Sequence, residues 1–287
     1  MLAEREAPQR QAGVVGSPIE HSLSPLLHRA AYRALGLHQW SYHRDEVPAG
    51  GLEAFVSRLP PSWVGLSVTM PGKEEALALG DPATERAMLT GAANTLVRGQ
   101  RGWSADNTDV DGIVGSLAEK GCHRADSAWV IGSGATARSV LVALHGLGLS
   151  RVILQVQSTA RAATLALAET LRIAVVVRTY DQGPPAWPDF DVAVSTVPAG
   201  GWPPPMPVNP GSAVGGHPAA GATVMDVVYQ VDSPWARHLV AAGAVMVGGT
   251  DMLLYQAARQ VELMTGHAAP LESMRTALAS GAERRDA

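Results

Sequence analysis

The stretch VIGSGATARSV, residues 130–140, constrains the fold most because it joins a glycine turn to a strand and a helix. Gly132, Gly134 and Ala137 have the G-x-G-x-x-A spacing, directly after the apolar run 127–132. The first glycine permits a tight turn, and the second lets the backbone approach a pyrophosphate. The helix that follows offers unpaired N–H groups to the anion. These residues predict a dinucleotide-binding βαβ unit.

The pattern around this turn alternates between strands and helices. The predicted helices are 135–148 and 160–172, and the predicted strands are 127–132, 151–156, 173–177, 191–196, 222–229 and 244–249. Such alternation is typical of a Rossmann-like, doubly wound parallel sheet. Residues 198–221 are too rich in proline and glycine for a regular element, and we expect a long surface loop there.

The N-terminal part of the chain predicts a second α/β domain. We expect strands at 12–16 and 63–69, a hairpin at 94–104, and helices at 25–36, 73–80, 81–91 and 108–121. Ser24 and Asp81 stand where helix N-caps are expected, each followed by a proline at the first helical position. Two closing helices, 253–266 and 270–281, complete the chain.

The length of 287 residues suits two domains. We expect one domain to comprise residues 1–107 and 250–287, a nucleotide domain to comprise 108–249, and the active site to lie in a cleft between them.

Composition restricts the classes of partner. The chain is 46% hydrophobic and 17% charged, with a net charge of −4, so we expect small-molecule partners and neither nucleic acid nor a membrane. Cys122 is the single cysteine, and the N-terminus lacks an apolar run, so we expect a cytoplasmic protein. The histidine spacing and the lack of a CxxC pair predict no metal site.

Lys73, in SVTMPGKEEAL, is a candidate for proton transfer. Of the 22 lysines and arginines in the chain, only Lys73 and Lys120 are lysines. An ammonium can lose its proton when it is partly desolvated, whereas a guanidinium stays charged. The alternative is an ordinary residue in the first turn of a helix.

Ser22 and Ser24, in GSPIEHSLSPLLH, stand at the mouth of the first predicted helix. Hydroxyls beside free helix N–H groups form a site of the size of a carboxylate. For Ser24, an ordinary capping role is the alternative.

Five motifs in this order resemble the shikimate dehydrogenase family: GSPIEHSLSPLLH, SVTMPGKEEAL, GAANTL, NTD and MLLYQAA, arranged around the GSGATAR turn. The resemblance extends from about residue 13 to about residue 270. It implies a two-domain enzyme that reversibly reduces 3-dehydroshikimate to shikimate with a nicotinamide cofactor, in the pathway to chorismate and the aromatic amino acids.

The resemblance also implies roles for individual residues. Lys73 and Asp109 would form the catalytic pair, with Lys73 as the principal acid/base. The substrate carboxylate would be bound by Ser22 and Ser24, and its hydroxyls by Thr69, Asn94 and Gln256. Tyr229 would lie on the substrate side, with packing at the domain junction as the alternative.

The resemblance also implies which residues bind the cofactor. They are Gly132, Ser133, Gly134, Ala135 and Thr136 at the turn, Gln157, Ser158 and Arg161 after the next strand, Thr196 and Val197, and Gly249 and Met252.

The choice between NADP and NAD rests on departures from the usual pattern. No acid follows the second nucleotide-domain strand, which disfavours NAD. The Asn-Arg-Thr stretch of the family is replaced by Val156, Gln157 and Ser158, which weakens NADP preference unless Arg161 compensates. We expect NADP, with NAD as the alternative. Two further departures are Ser67, where the family usually has asparagine, and Asp251, where glycine is common.

Two rival functions stay open at this point. A quinate or aminoshikimate dehydrogenase paralogue would differ in a contact or two. A non-catalytic regulator that senses nucleotide is disfavoured because Lys73, Asp109, Asn94 and Gln256 are all present. The oligomeric state is also open, with a homodimer as one alternative.

Overall fold

The protein is an α/β chain in two compact units. The computed structural model describes residues 9–185, 190–198, 201, 222–228 and 233–283. The first unit comprises Met1–Thr108 and Gln256–Ala287, and the second comprises Asp109–Tyr255. The predicted fold class is confirmed. The functional domains expected from the sequence, 1–107 with 250–287 and 108–249, remain predictions.

The first unit is built on a mixed sheet of five strands. Its elements before residue 109 are β1 (Arg10–Gly16), α1 (Ser24–Ala34), β2 (Trp40–Glu46), α2 (Leu52–Ser57), β3 (Trp63–Val68), α3 (Lys73–Leu79), α4 (Glu85–Thr90), β4 (Thr95–Gly99) and β5 (Gly102–Asp106). The strand order is β2-β1-β3-β4-β5. β1 is parallel to β2 and β3, whereas β4 is antiparallel to β3 and to β5. The predicted hairpin is therefore β4 and β5.

The second unit is built on a parallel sheet of six strands. Its elements are α5 (Asp109–Glu119), β6 (Ser127–Ile131), α6 (Ala135–His145), β7 (Arg151–Val156), α7 (Ala162–Thr170), β8 (Ala174–Thr179), β9 (Val192–Ser195), β10 (Thr223–Asp226), α8 (Pro234–Ala241) and β11 (Val245–Val247). The order β11-β10-β9-β6-β7-β8 reverses direction between β6 and β9, as in a doubly wound sheet. Trp129 on β6 packs against Phe190 and Trp235 in its core.

Two helices close the chain, α9 (Gly249–Thr265) and α10 (Leu271–Glu283). α9 begins in the second unit and continues in the first from Gln256. Gly65 allows α9 to pack closely on β3, because a Cβ at this position would lie 2.5 Å from Cγ of Met264. This close approach brings the last turn of α9 onto the strand that carries Ser67.

Two predicted helix caps are wrong. Leu23, not Ser24, is the N-cap of α1, and Ser24 is the first helical residue. Thr84, not Asp81, caps α4, because its Oγ1 accepts the N–H of Ala87 at 3.4 Å. In the first segment the helix begins one residue earlier than the pattern suggests, with Pro25 as its second residue, whereas in the second it begins three residues after Pro82.

Three elements are absent from the sequence prediction. β2 was missed because it is an edge strand of mostly polar residues in which Tyr42 is the one fully buried side chain. α2 has six residues, too few to show a helical period. α8 lies between β10 and β11 and is capped by Ser233, whose Oγ accepts the N–H of Ala236 at 3.3 Å. The expected loop at 198–221 lies largely outside the described residues.

Within the described ranges, no helix is both long and apolar enough to span a membrane. In the same ranges, no group of three or more histidine, cysteine, aspartate or glutamate side chains is arranged to hold a metal ion.

His28 on α1 is a buried neutral histidine. Its ring stacks on Tyr42 with 4.0 Å between the centroids, and its Nδ1–H donates to the carbonyl oxygen of Ser24 at 2.9 Å. Burial lowers the pKa of His28 to about 4, although the bond to Ser24 acts in the opposite direction. The folded protein therefore takes up this proton only well below the pH at which an unfolded histidine, with an ordinary pKa of 6.5, would take it up.

This shift predicts a loss of stability in acid. As the pH falls from about 6.5 to about 4, the unfolded chain gains a proton that the folded chain refuses, so the free energy of unfolding should fall by about 3 kcal/mol from this group. Urea unfolding of His28→Phe at pH 7.5 and 4.5 should show a smaller difference between the two pH values than the wild type. His38→Phe, at an exposed position, should keep the wild-type difference. An unchanged difference in His28→Phe would contradict the assignment.

Candidate active site

Buried polar side chains from three segments of the first unit meet at Asn94. Asn94 immediately precedes β4, Thr108 follows β5, and Gln256 and Gln260 lie one turn apart on α9. Each of these four side chains is buried, in a protein whose buried polar groups need partners. Asn94 and Gln256 are two of the predicted substrate-binding residues, and the structure brings them together.

The orientation of the Asn94 amide is determined by its neighbours. Its Oδ1 accepts the backbone N–H of Thr108 at 2.8 Å, and a backbone N–H can only donate. The hydroxyls of Thr95 and Thr108 donate to the same oxygen at 2.7 and 3.1 Å. Nδ2 consequently faces Gln256 and donates to its Oε1 at 3.3 Å. Asn94 therefore directs its amide nitrogen, not its oxygen, toward Gln256.

The segment that leads from β5 to Thr108 is braced by an ion pair. Arg86 contacts Asp106 through two bonds, Nε to Oδ1 at 2.6 Å and Nη2 to Oδ2 at 2.7 Å, and Thr84 donates to Oδ1. Burial acts to raise the pKa of Asp106, but the bonds to Arg86 and Thr84 outweigh it and hold the pKa below its usual value. Asn107 donates to the hydroxyl of Thr90 at 2.9 Å. Residues 106–108 are thus held before the chain reaches Asp109.

Lys73 is the first residue of α3, and its backbone is tied to the Asn94 region. The N–H of Ala93 donates to the carbonyl oxygen of Lys73 at 2.8 Å. The side chain of Lys73 is half-buried. The backbone of Lys73, the predicted acid/base, is therefore hydrogen-bonded to Ala93, the residue directly before Asn94.

Asp109 is the first residue of α5 and of the second unit, and it is buried. It directly follows Thr108, which bonds to Asn94. A carboxylate in the first turn of a helix complements the helix dipole.

Ser22, Ser24 and Thr69 occupy the ends of elements in the first unit. Ser22 precedes α1, and its Oγ accepts the N–H of Ser24 at 3.3 Å. Ser24 is buried, whereas Ser22 is half-buried. Thr69 directly follows β3 and donates its backbone N–H to Val15 at the end of β1, at 2.9 Å. The first two residues lie at the N-terminus of α1, where an anion would be favoured.

In the second unit, the predicted glycine turn follows β6 at the switch point of the sheet. Gly132 has φ of 104°, a left-handed conformation that favours glycine, and a Cβ here would lie 2.5 Å from Oγ1 of Thr196. Thr196 itself follows β9, and its hydroxyl donates to the carbonyl of Ile131 at 2.8 Å. A Cβ on Gly132 would also lie 3.2 Å from Val197. The turn and the 196–197 segment are therefore neighbours, as the prediction requires.

Ser133 connects the turn to the segment after β7. Its Oγ accepts the backbone N–H of Arg161 at 3.1 Å, and its carbonyl accepts the hydroxyl of Thr164 at 2.7 Å. The side chains of Gln157, Ser158 and Arg161 are exposed. Arg161 is thus the basic residue whose main chain is tied to the glycine turn.

The turn fits a dinucleotide phosphate. Gly134 is the N-cap of α6 without a side-chain cap, and nothing lies within 4 Å of the position that a Cβ would take there. Ala135 and Thr136 follow as the first two residues of α6 and are half-buried. An open approach to uncapped N–H groups is the arrangement that binds pyrophosphate in this class of fold.

Gly249 and Met252 lie in the first turn of α9. A Cβ on Gly249 would lie 2.7 Å from the carbonyl oxygen of Val227, so this position requires a small residue. Met252 is buried. Asp251, between them, accepts the N–H of Gly248 at 3.1 Å and lies 3.9 Å from the amine of Lys120. Tyr229, the remaining predicted site residue, lies outside the described residues.

Several residues of the Asn94 cluster were not predicted from the sequence. They are Tyr42, Thr95, Thr108 and Gln260. Gln260 follows Gln256 by four positions on a predicted helix, a spacing that places both amides on one face. That spacing was the available signal. Ser67, where the family usually has asparagine, bonds to Gln260 through its hydroxyl at 2.7 Å.

Two family models match the chain. The shikimate dehydrogenase substrate binding domain matches residues 14–96, and the shikimate 5'-dehydrogenase C-terminal domain matches residues 249–279. A curated relative from Methylobacterium radiotolerans, named shikimate dehydrogenase (NADP(+)), is 38% identical over 89% of this chain and 91% of its own. Another from Methanopyrus kandleri, with the same name, is 34% identical over 95% of this chain and 96% of its own.

Solved structures agree with these matches. The shikimate dehydrogenase of Mycobacterium tuberculosis is 42% identical and superposes with a TM-score of 0.80, covering 94% of this chain and 99% of that one. The shikimate 5-dehydrogenase of Thermus thermophilus, solved in complex with NADP(H) and shikimate, is 27% identical with a TM-score of 0.78, covering 94% and 98%. The chain therefore belongs to the shikimate dehydrogenase family.

Proposed function

We propose that this protein is an NADP-dependent shikimate dehydrogenase that reversibly reduces 3-dehydroshikimate to shikimate in aromatic amino-acid biosynthesis. The observation that carries the proposal is the hydrogen bond between Asn94 and Gln256, which are 162 positions apart and come from two of the family motifs. Relatives that carry the name shikimate dehydrogenase (NADP(+)) align over most of the chain.

The first unit binds the substrate in this proposal. Ser22 and Ser24 receive the carboxylate at the N-terminus of α1, where the helix dipole favours negative charge. Thr69, Asn94 and Gln256 bind the ring oxygens. The orientation of Asn94 supports this role. Its amide nitrogen, a donor, faces Gln256, and a carbonyl or hydroxyl oxygen of the substrate can accept a hydrogen bond from it.

Lys73 moves the proton. In the direction of reduction, the ammonium of Lys73 donates a proton to the carbonyl oxygen as that oxygen becomes a hydroxyl, and the amine is left neutral. In the direction of oxidation, the neutral amine takes the hydroxyl proton. Asp109 orients the lysine and the substrate hydroxyl.

The second unit binds the cofactor. When bound, NADPH supplies the hydride that reduces the carbonyl carbon. The phosphates are held by the turn from Gly132 to Thr136, and Thr196, Val197, Gly249 and Met252 complete the site. Arg161, with Gln157 and Ser158, meets the 2′-phosphate in place of the arginine that the family usually has one turn earlier.

A cytoplasmic location and the oligomeric state remain predictions. Cys122 is a buried free thiol, which fits the reducing cytoplasm. A homodimer remains one alternative.

The first test is turnover by the purified protein. Given 3-dehydroshikimate, it should oxidise NADPH, and NADPH should support faster turnover than NADH at equal concentration. In the reverse direction, shikimate should be a better substrate than quinate or aminoshikimate. Faster turnover of quinate or aminoshikimate would instead indicate a quinate or aminoshikimate dehydrogenase. Tight binding of shikimate without turnover would instead indicate a non-catalytic regulator.

The second test concerns Lys73. Lys73→Arg keeps a positive charge but cannot give up its proton, so kcat should fall by about 10²–10⁴-fold while shikimate still binds. Lys120→Arg, which changes the other lysine of the chain, should keep wild-type turnover. Near wild-type kcat in Lys73→Arg would show that another group moves the proton.

The third test concerns Arg161. Arg161→Gln should raise KM for NADPH by about tenfold through loss of a charged hydrogen bond and leave KM for NADH unchanged. Arg151→Gln is the matched control, because Arg151 begins β7 and lies at the opposite end of the strand that Arg161 follows. Equal effects of Arg161→Gln on both cofactors would remove Arg161 from 2′-phosphate recognition.

A further inference from the structure

A chain of buried hydrogen bonds connects Tyr42 on β2 to Asn94. The hydroxyl of Tyr42 lies 2.5 Å from Oγ of Ser67, and Ser67 Oγ lies 2.7 Å from Oε1 of Gln260. Nε2 of Gln260 lies 3.0 Å from Oγ1 of Thr95, and that hydroxyl lies 2.7 Å from Oδ1 of Asn94. All five residues belong to the first unit and are buried.

The donor and acceptor roles along this chain are determined by the main chain. Gln260 Nε2 faces the carbonyl oxygen of Asn94 at 3.2 Å, and a carbonyl can only accept. That end of the Gln260 side chain is therefore the NH₂ group, and Oε1 faces Ser67. Ser67 must donate to Oε1, so its oxygen accepts from the hydroxyl of Tyr42. Burial raises the pKa of Tyr42 well above its usual value, so this hydroxyl keeps its proton.

The same logic determines the other end of the chain. Because Thr95 Oγ1 accepts from Gln260, its own proton is directed to Oδ1 of Asn94. The N–H of Thr108 approaches that oxygen independently. The backbone carbonyl of Asn94 is held from two sides, by Gln260 and by the N–H of Val68 at 2.7 Å. Gln260 therefore contacts both the main chain of Asn94 and the hydroxyl that orients its side chain.

We infer that Gln260 is a positioning residue that, with Ser67, holds the Asn94 amide with its nitrogen toward the substrate. The inference rests on the proposed function. Gln260 acts through Asn94 and Thr95 and does not itself touch the substrate. Three donors occupy Oδ1 of Asn94, so Asn94 recognises a substrate oxygen as an acceptor and discriminates against an ammonium at the same place.

The Ser67 hydroxyl is part of the same device. The Gln260 amide links the Ser67 hydroxyl to Thr95, because its Oε1 accepts from Ser67 and its Nε2 donates to Oγ1 of Thr95. Such a polarised chain inside a protein strengthens each of its bonds. It also leaves each member dependent on its neighbours.

The decisive variant is Gln260→Met, which keeps the side-chain length and removes both hydrogen-bonding ends. KM for 3-dehydroshikimate should rise by about tenfold because the carbonyl oxygen of Asn94 and the hydroxyl of Thr95 each lose a partner and Asn94 is held less firmly, while KM for NADPH stays unchanged. Arg259→Met, the neighbouring position on α9, carries the same new side chain outside the chain of bonds and should keep the wild-type value.

A second pair of variants separates positioning from packing. Thr95→Val keeps the shape of the side chain but removes the hydroxyl, and it should raise KM for 3-dehydroshikimate as Gln260→Met does. Thr95→Ser keeps the hydroxyl and should restore a near wild-type KM. If both variants behave alike, or if Gln260→Met changes the KM of substrate and cofactor equally, the positioning role is wrong.

A readout independent of turnover distinguishes failure of this inference from failure of the proposed function. The side-chain NH₂ signals of Asn94, assigned by their loss in Asn94→Asp, should shift and exchange faster with solvent in Gln260→Met than in Arg259→Met. If the wild-type protein did not turn over 3-dehydroshikimate, the proposed function would be wrong, but the Asn94 signals would still test whether Gln260 positions Asn94. Unchanged Asn94 signals in Gln260→Met would reject the positioning role even in an active enzyme.

Discussion

The side-chain oxygen of Asn94 is the point on which the first unit depends. Three donors converge on it from Thr95 at the start of β4 and from Thr108, two residues after β5, and Gln260 of α9 donates to the backbone carbonyl of Asn94. A buried amide with satisfied partners has one orientation, whereas a partly satisfied one costs free energy and loses that uniqueness. The backbone of Lys73 bonds to Ala93, which precedes Asn94, and Asp109 directly follows Thr108, which bonds to Asn94.

In the proposed function, the two units bind their ligands by different physical means. In the first unit, side-chain hydrogen bonds set the direction in which polar groups point. In the second, the backbone does the work, because Gly132 adopts a left-handed conformation against Thr196 and Gly134 leaves the N-terminus of α6 open. Side chains can discriminate between ring oxygens, and main-chain N–H groups suffice for a phosphate, whose charge is the same in every nucleotide.

Much of this architecture was predictable because it rests on local patterns. The glycine spacing, the apolar runs and the hairpin turn each follow from neighbouring residues. The caps at Leu23 and Thr84 were not, because the segments before those helices bond to distant residues: Arg44 donates to the carbonyl of Ser22, and the N–H of Thr84 donates to the carbonyl of Ala105. β2 was not predictable because it is an edge strand whose mostly polar residues show no apolar run. Gln260 escaped because its partners, Ser67 and Asn94, are more than 160 positions away, and only the folded chain reveals them.

The bond from the N–H of Ala93 to the carbonyl of Lys73 ties the place of the lysine to main-chain atoms. Ala78, an exposed position of α3, can therefore be substituted without displacing the backbone of Lys73. To engineer this enzyme for other ring acids, residue 73 should be kept, and substitutions are better made at the residues proposed to contact the substrate.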